Sequence, residues 1–378
     1  MALNLTILGA KIATHRKELR ESVDQLGSAL GIAVDRLKRI EAGAIEPTGD
    51  EILILSGHFL CDYKIFLTDE QPPEAPPTQI LYRAKGDDFS KEDRRAIRDF
   101  LYLCETESEL SNDLGRTAAS FHPTPIANGS PQIINAAQAV REKLRYKEND
   151  LTRDVFGDCR RLGIHVFRRR LGDSDISGLF IVHPTAGKCI LVNASEDIYR
   201  QRFSAAHELA HALFDADARA RVSLRTETST PLERRANAFA SAYLMPPGQL
   251  RQLPPAKGWS DDDAKRWANE FRVSCDALGI ALLKAGLVDV ALCKRIRALR
   301  VSAADKIDPE IPRSLSAAQK ANKTALLEQG LSNHYVALCF EAHRQGFISA
   351  GRLAEALLRS PSELNEVAGL YGHKLHGH

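Results

Sequence analysis

The stretch FSAAHELAHALFD at 203–215 constrains this chain more than any other. Phe203, Ala206, Leu209, Ala210, Leu213 and Phe214 recur at helical spacing, which predicts a helix with most of its surface in a core. Into that surface the chain sets His207, Glu208 and His211. Burying two imidazoles and a carboxylate without partners is costly, so the fold must give them something to bind. Positions i and i+4 share a helix face, so His207 and His211 can reach one metal ion. Glu208 projects about 100° away, beside such an ion. There it can take a proton from an attacking water and pass it to a leaving amine. Two satisfied core histidines and a surface glutamate are the plain alternative.

The metal reading needs a third protein ligand. Asp215 stands eight residues beyond His207, about 12 Å along the axis at ~1.5 Å per residue, too far to complete a tetrahedron. The next predicted helix, from about Pro231 to Leu244, offers Glu233 with Asn237 one turn on. Ala236, Ala238 and Ala240 would let that helix approach closely. A second reading of Glu233 stands beside this one, because Thr230, Pro231 and Glu233 fit N-cap, N1 and N3 of a capping box. Zinc (Zn2+) suits a His, His, Glu donor set and would supply the electrophile for peptide hydrolysis.

Around this centre the chain divides at its proline-rich breaks. DEQPPEAPPTQ at 69–79 is an extended, non-helical linker, and FHPTPIANGSPQ at 121–132 is a second break. They mark residues 1–68 as a compact N-terminal block and 69–132 as linker plus a connecting helix, with Ile97, Phe100, Leu101 and Cys104 on one side. Residues 133–300 form the region of the HExxH helix, and 301–378 a helical C-terminal region. Helices over 133–146 and 150–162 precede extended pieces at 163–167, 178–182 and 189–193, the last two joined as a hairpin across HPTAGK. The expected fold is mainly α with a small β-sheet (α+β). The hairpin is the candidate edge along which a substrate backbone could pair. His165 reads as structural, Arg168, Arg169 and Arg170 as a solvated strand end, and Tyr243 as core packing. Tyr243 and Arg202 are near enough in sequence to be considered as oxyanion donors, without grounds to choose either. His373, His376 and His378 close an expected flexible tail, and 301–378 would pack on the rest or mediate assembly.

The formal net charge of +2 is too near zero to single out a polyanion partner. Seven scattered cysteines, an odd number without a CxxC pair, suit reduced thiols rather than a disulfide framework. The N-terminus lacks the apolar core of a signal peptide, and no stretch approaches the roughly 18 apolar residues of a membrane span. A cytoplasmic protein without membrane contact is expected.

RFSAAHELAHALF followed by ERRANAFASAYLMP resembles the ImmA/IrrE family of zinc metallopeptidases, over roughly residues 133–300. The resemblance implies a zincin-like domain and a gluzincin-like site. His207, His211 and Glu233 would be the Zn2+ ligands and Glu208 the general base. It also implies a protein substrate, typically a helix-turn-helix repressor cleaved after DNA damage or a mobile-element signal.

In the N-terminal block, DQLGSALGIAVDRLKRIEAG reads as two short helices around a turn at Gly31 and Ile32. Leu26 and Leu30 line the first helix, and Leu37 and Ile40 the second. This block resembles an XRE-type helix-turn-helix domain, with Glu41 and Gly43 matching the family's E-x-G ending. By that match Val34, Asp35, Lys38 and Arg39 would read operator DNA. Val23 stands where such domains often carry glutamine. Seven basic residues face eight acidic ones over positions 8–51, so residues 8–66 should bind DNA weakly unless dimerised. The alternative is a helical protein-interaction module. Two rival functions remain at this point: a non-catalytic, antitoxin-like regulator that uses the peptidase fold as a sensor, and self-cleavage within 69–79.

Overall fold

The computed structural model describes residues 3–59, 61, 63–68, 89–116, 121, 123, 130–172, 175–215, 220–224 and 230–373. The proline-rich segment 69–79 and the tail residues His376 and His378 lie outside them. The chain forms two units, Met1–Tyr102 with Gly172–Ser174, and Leu103–Leu171 with Asp175–His378. The α+β class expected from the sequence is observed.

The first unit holds α1 (Leu5–Glu18), α2 (Val23–Leu30), α3 (Val34–Glu41), α4 (Gly49–Phe59), α5 (Lys64–Leu67) and the start of α6 (Lys91–Asp113). Leu8, Ile12, Leu26, Leu37, Ile40, Leu55, Phe59 and Phe66 form its core. Ser22 and Gln25 close a full capping box on α2, and Gly31 ends that helix in the left-handed region at φ 67°. The Glu41-x-Gly43 signature has a local structural cause. Glu41 accepts from Arg16 Nε at 2.7 Å and Nη2 at 2.8 Å. Gly43 has φ 67°, and a Cβ there would lie 2.8 Å from Thr6 Cα. Of the proposed reader residues, Asp35, Lys38 and Arg39 are exposed, whereas Val34 is half-buried, with Cγ2 3.4 Å from where a Gly27 Cβ would be.

The second unit continues through α7 (Ser130–Lys143) and α8 (Val155–Arg161) into β1 (His165–Arg169), β2 (Ile176–His183) and β3 (Gly187–Asn193). Then come α9 (Ile198–Phe214), β4 (Ala220–Leu224) and α10 (Pro231–Leu244). Further helices follow: α11 (Pro247–Arg251), α12 (Asp261–Phe271), α13 (Cys275–Lys284), α14 (Val290–Ala298), α15 (Ala317–Leu327), α16 (Asn333–Arg344), α17 (Ala350–Ala356) and α18 (Leu364–Tyr371). The sheet order is β1-β3-β2-β4, with β1 parallel to β3 and β2 antiparallel to both β3 and β4. Both hairpin strands are therefore interior. The expectation that the hairpin supplies an edge is corrected: among the described residues the β2 side ends on β4, a short strand that the sequence reading did not include.

The apolar runs GLFIV and CILVN follow from burial on two faces. Val166, Phe180, Ile190 and Val192 join the core of α7, α8, α9 and α10. The alternate residues face the opposite way. There Phe167 meets Tyr335 of α16 edge-on, at 5.4 Å between ring centroids. Nearby, Glu107 of α6 bridges His165 at 3.3 Å and His334 at 3.1 Å, so His165 is structural as expected.

The arginine run is not a solvated strand end. Arg168 is buried and donates to Asp308 and Glu310 at 2.7 Å each, over the Phe156 ring. Arg169 donates to the Gln329 carbonyl, and only Arg170 is well exposed, facing Glu328. These bonds hold segment 301–332 against β1, because an arginine taken out of water requires its acids to follow. His373, expected in a free tail, stacks on Phe340 with centroids 4.7 Å apart. Among the described residues no helix is long and apolar enough to cross a membrane.

Candidate metal centre

Helix α9 begins at Asp197, whose side chain accepts from Tyr199 N, and runs into the middle of the second unit. Ser204, Ala205, Ala206, Ala210 and Ala212 keep it slim, so β2 and β3 pack on one side and α10 on another. A helix enclosed this way buries its polar groups too. His211 and Glu208 have no exposure, and His207 is 7% exposed.

Helix α10 starts at Thr230, whose Oγ1 accepts from Glu233 N at 3.2 Å, with Pro231 in the first turn. Half of the anticipated capping box is thus formed. The Glu233 carboxylate does not return to the cap, however. Its Oε2 lies 2.9 Å from His207 Nε2 and its Oε1 3.3 Å from His211 Nε2. The two Nε2 atoms are 3.1 Å apart. Ligand atoms of all three residues fall within 4.8 Å of one another, the single such group among the described residues.

The far nitrogens fix the tautomers. His207 Nδ1 donates to Asn237 Oδ1 at 3.0 Å, one turn beyond Glu233. His211 Nδ1 donates to Asp215 Oδ2 at 2.6 Å. Asp215 is held in turn by Arg235 of α10 and by Arg221 of β4, the latter with Nε at 3.1 Å. With Nδ1 protonated on each ring, two Nε2 lone pairs and a carboxylate converge on one point. Three acceptors facing inward repel unless a cation sits among them. This donor set therefore fits a divalent metal with three protein ligands and room for more.

Glu208 lies beside this triad against the sheet. A Cβ on Gly178 would come within 3.0 Å of its Cγ and Oε1, so glycine on β2 is what leaves the carboxylate its space. Gly178 pairs in register with Ser223 of β4. Both Glu208 oxygens and Ser223 Oγ are buried and make no hydrogen bond of good geometry. Burial pushes the Glu208 carboxyl upward.

The structure thus brings His207, His211 and Glu233 together with Glu208 alongside, and leaves Asp215 out of the ligand set. The considered oxyanion donors are used elsewhere. Arg202 is buried, gives its N–H groups to the carbonyls of Thr152, Arg153 and Arg272, and is pulled down by burial to about 10. Tyr243 donates to Asp158 and stacks on Phe239. Sequence reading missed Asp215 as a partner of His211, although the i, i+4 spacing carried that signal. It also missed β4, which places Arg221 and Ser223 on the α9 side of the sheet.

Comparison with curated proteins and with solved structures gives no match. Residues 159–283 match the model of peptidase family M78, the IrrE N-terminal-like domain. That span begins in α8, ends in α13 and includes the whole sheet, α9 and α10. The match supports an ImmA/IrrE relationship, and with it a peptidase, for the segment that carries the His/His/Glu cluster.

Proposed function

We propose that this chain is a zinc-dependent endopeptidase that cleaves a regulatory protein, with a helix-turn-helix repressor as the substrate class. The observation that carries the reading is the convergence of His207 Nε2, His211 Nε2 and Glu233 on one point, with the Glu208 carboxylate buried and unbonded beside it. Zinc held by those three residues would supply Lewis acidity toward a peptide carbonyl and a water molecule. The protein's own residues do the rest. Asn237 and Asp215 hold the imidazoles in the tautomer that presents Nε2. A Glu208 Oε accepts the proton of the attacking water and passes it to the leaving amide nitrogen. The enclosure of α9 by sheet and helix excludes bulk water, and β4 offers an extended substrate a strand to pair with.

We further propose that residues 1–68 form an XRE-type module that contacts operator DNA through α3, with Asp35, Lys38 and Arg39 outward and Val34 at the margin. A near-neutral module needs dimerisation for useful affinity. Seven free cysteines suit a cytoplasmic setting. Binding metal alone does not require Glu208, which favours turnover over a purely sensory role. The test is Glu208→Gln, compared with the unaltered protein in cells with and without DNA damage, by sequencing new protein N-termini. The variant should keep its metal and lose every cleavage that the parent makes. Cleavage that persists in the variant refutes the assigned mechanism, and gel shift with DNA from upstream of its own gene tests the operator contact separately.

A further inference from the structure

We propose that Arg221 is a specificity residue that reads an acidic side chain on the substrate; the inference rests on the peptidase reading above. Arg221 stands on β4, where the described sheet ends, as register partner of Phe180. Successive strand residues alternate faces, so Arg221 shares the face of Ser223, toward α9 and the metal centre. Its Nε is buried and lies 3.1 Å from Asp215 Oδ2, the same oxygen that accepts from His211 Nδ1. The side chain as a whole is nevertheless 29% exposed. Nε is its one nitrogen that is both buried and unbonded, so the two Nη groups open to solvent beside the site with their donors unspent.

An arginine whose Nε is buried in an ion pair with Asp215, and whose Nη groups are free, is already oriented toward the site. Its remaining fork matches a carboxylate in two parallel hydrogen bonds. A peptide paired along β4 would bring one residue opposite Arg221, with Cβ atoms about 5 Å apart. Aspartate or glutamate at that residue meets the fork, whereas lysine or arginine meets a like charge. The substrate class is therefore an extended segment with an acidic side chain at one fixed distance from the scissile bond.

The test uses the full-length, zinc-loaded protein and a peptide library prepared from a whole proteome, with cleaved bonds identified by sequencing. The parent should enrich Asp and Glu about tenfold at one position near the cut, the order of one charge-assisted pair. Arg221→Lys should keep part of that preference, Arg221→Gln should lose it, and Arg221→Glu should turn it toward Lys and Arg at the same position. Chelator competition on each protein reports whether the metal site is intact. Equal profiles in all four proteins overturn the proposal and leave the peptidase standing. Loss of metal in all three variants also overturns it, by assigning Arg221 to the architecture of the centre. A parent that cuts nothing in the library removes the peptidase reading itself.

Discussion

Asp215→Asn isolates the outer support of the metal centre. Asp215 accepts from His211 Nδ1 on Oδ2 and from Arg235 Nη2 on Oδ1, and its Oδ2 is also ion-paired with Arg221. Asparagine keeps one acceptor oxygen and turns an N–H2 toward groups that can only donate. At least one charge-assisted hydrogen bond is lost, at about 1.5–3 kcal/mol, and a buried guanidinium loses its counter-charge. The His211 ring also loses its orientation and part of its basicity. Metal affinity should therefore fall about 10- to 100-fold, the usual consequence of removing such a partner. Competition against a chromophoric chelator gives the affinity, and urea unfolding of metal-free and metal-loaded protein separates the two effects. The metal-free variant should lose about 1.5–3 kcal/mol, and the loaded one more, since metal binds the native state alone. Unchanged affinity in a folded Asp215→Asn protein would refute the assigned role of Asp215.

Gly178→Ala would press a methyl group against Glu208 at 3.0 Å and the Leu191 carbonyl at 3.1 Å, with no ligand touched. It should leave chelator-measured metal affinity near the parent value and lower cleavage by about tenfold or more. Arg168→Met would strand Asp308 and the buried Glu310, and urea unfolding should show a loss of about 3–5 kcal/mol. The Glu107–His165 pair gives a pH signature. Burial opposes the charge on both groups, yet their pairing holds Glu107 below its ordinary 4.5 and raises His165 above its ordinary 6.5. The His165 contribution is complete below pH 6.5 and fades as pH climbs through its folded pKa, while that of Glu107 is present above 4.5. Unfolding free energy across pH 6–9 should fall more in the parent than in Glu107→Gln, and parallel curves would contradict the pairing.

The His207, His211 and Glu233 cluster was legible because its two helices carry their polar residues at helical spacing. His207 and His211 share a face by periodicity alone, and Thr230-Pro231 announces the turn that aims α10. Glu233 was ambiguous for a physical reason: its backbone serves the cap while its side chain serves the centre, and sequence shows both at once. The sheet was half legible. Its hairpin strands show as apolar runs because they are buried on both faces, but that same double burial hides which strand is the edge. Strand β4, ARVSL, does alternate apolar and polar residues, a strand signal that sequence reading passed over because the run is only five residues long and its polar side, Arg221 and Ser223, faces α9 rather than away from it. Arg168 and Arg169 were misread because three successive arginines suggest water, and the acids that bury Arg168 lie some 140 residues away in sequence.

The grip of Arg168 on Asp308 and Glu310, and of Glu107 on His334, has a consequence for synthesis of the chain. A ribosome that has delivered α9 and α10 has delivered His207, His211 and Glu233, all three residues of the candidate metal centre. The face of β1 that carries His165 and Phe167 then has Glu107 of α6 against it but still lacks α16. A nascent peptidase segment released at that stage would hold its ligands and lack the cover of its sheet. Stop codons just after residue 300 should therefore yield aggregated or degraded protein rather than an unregulated protease.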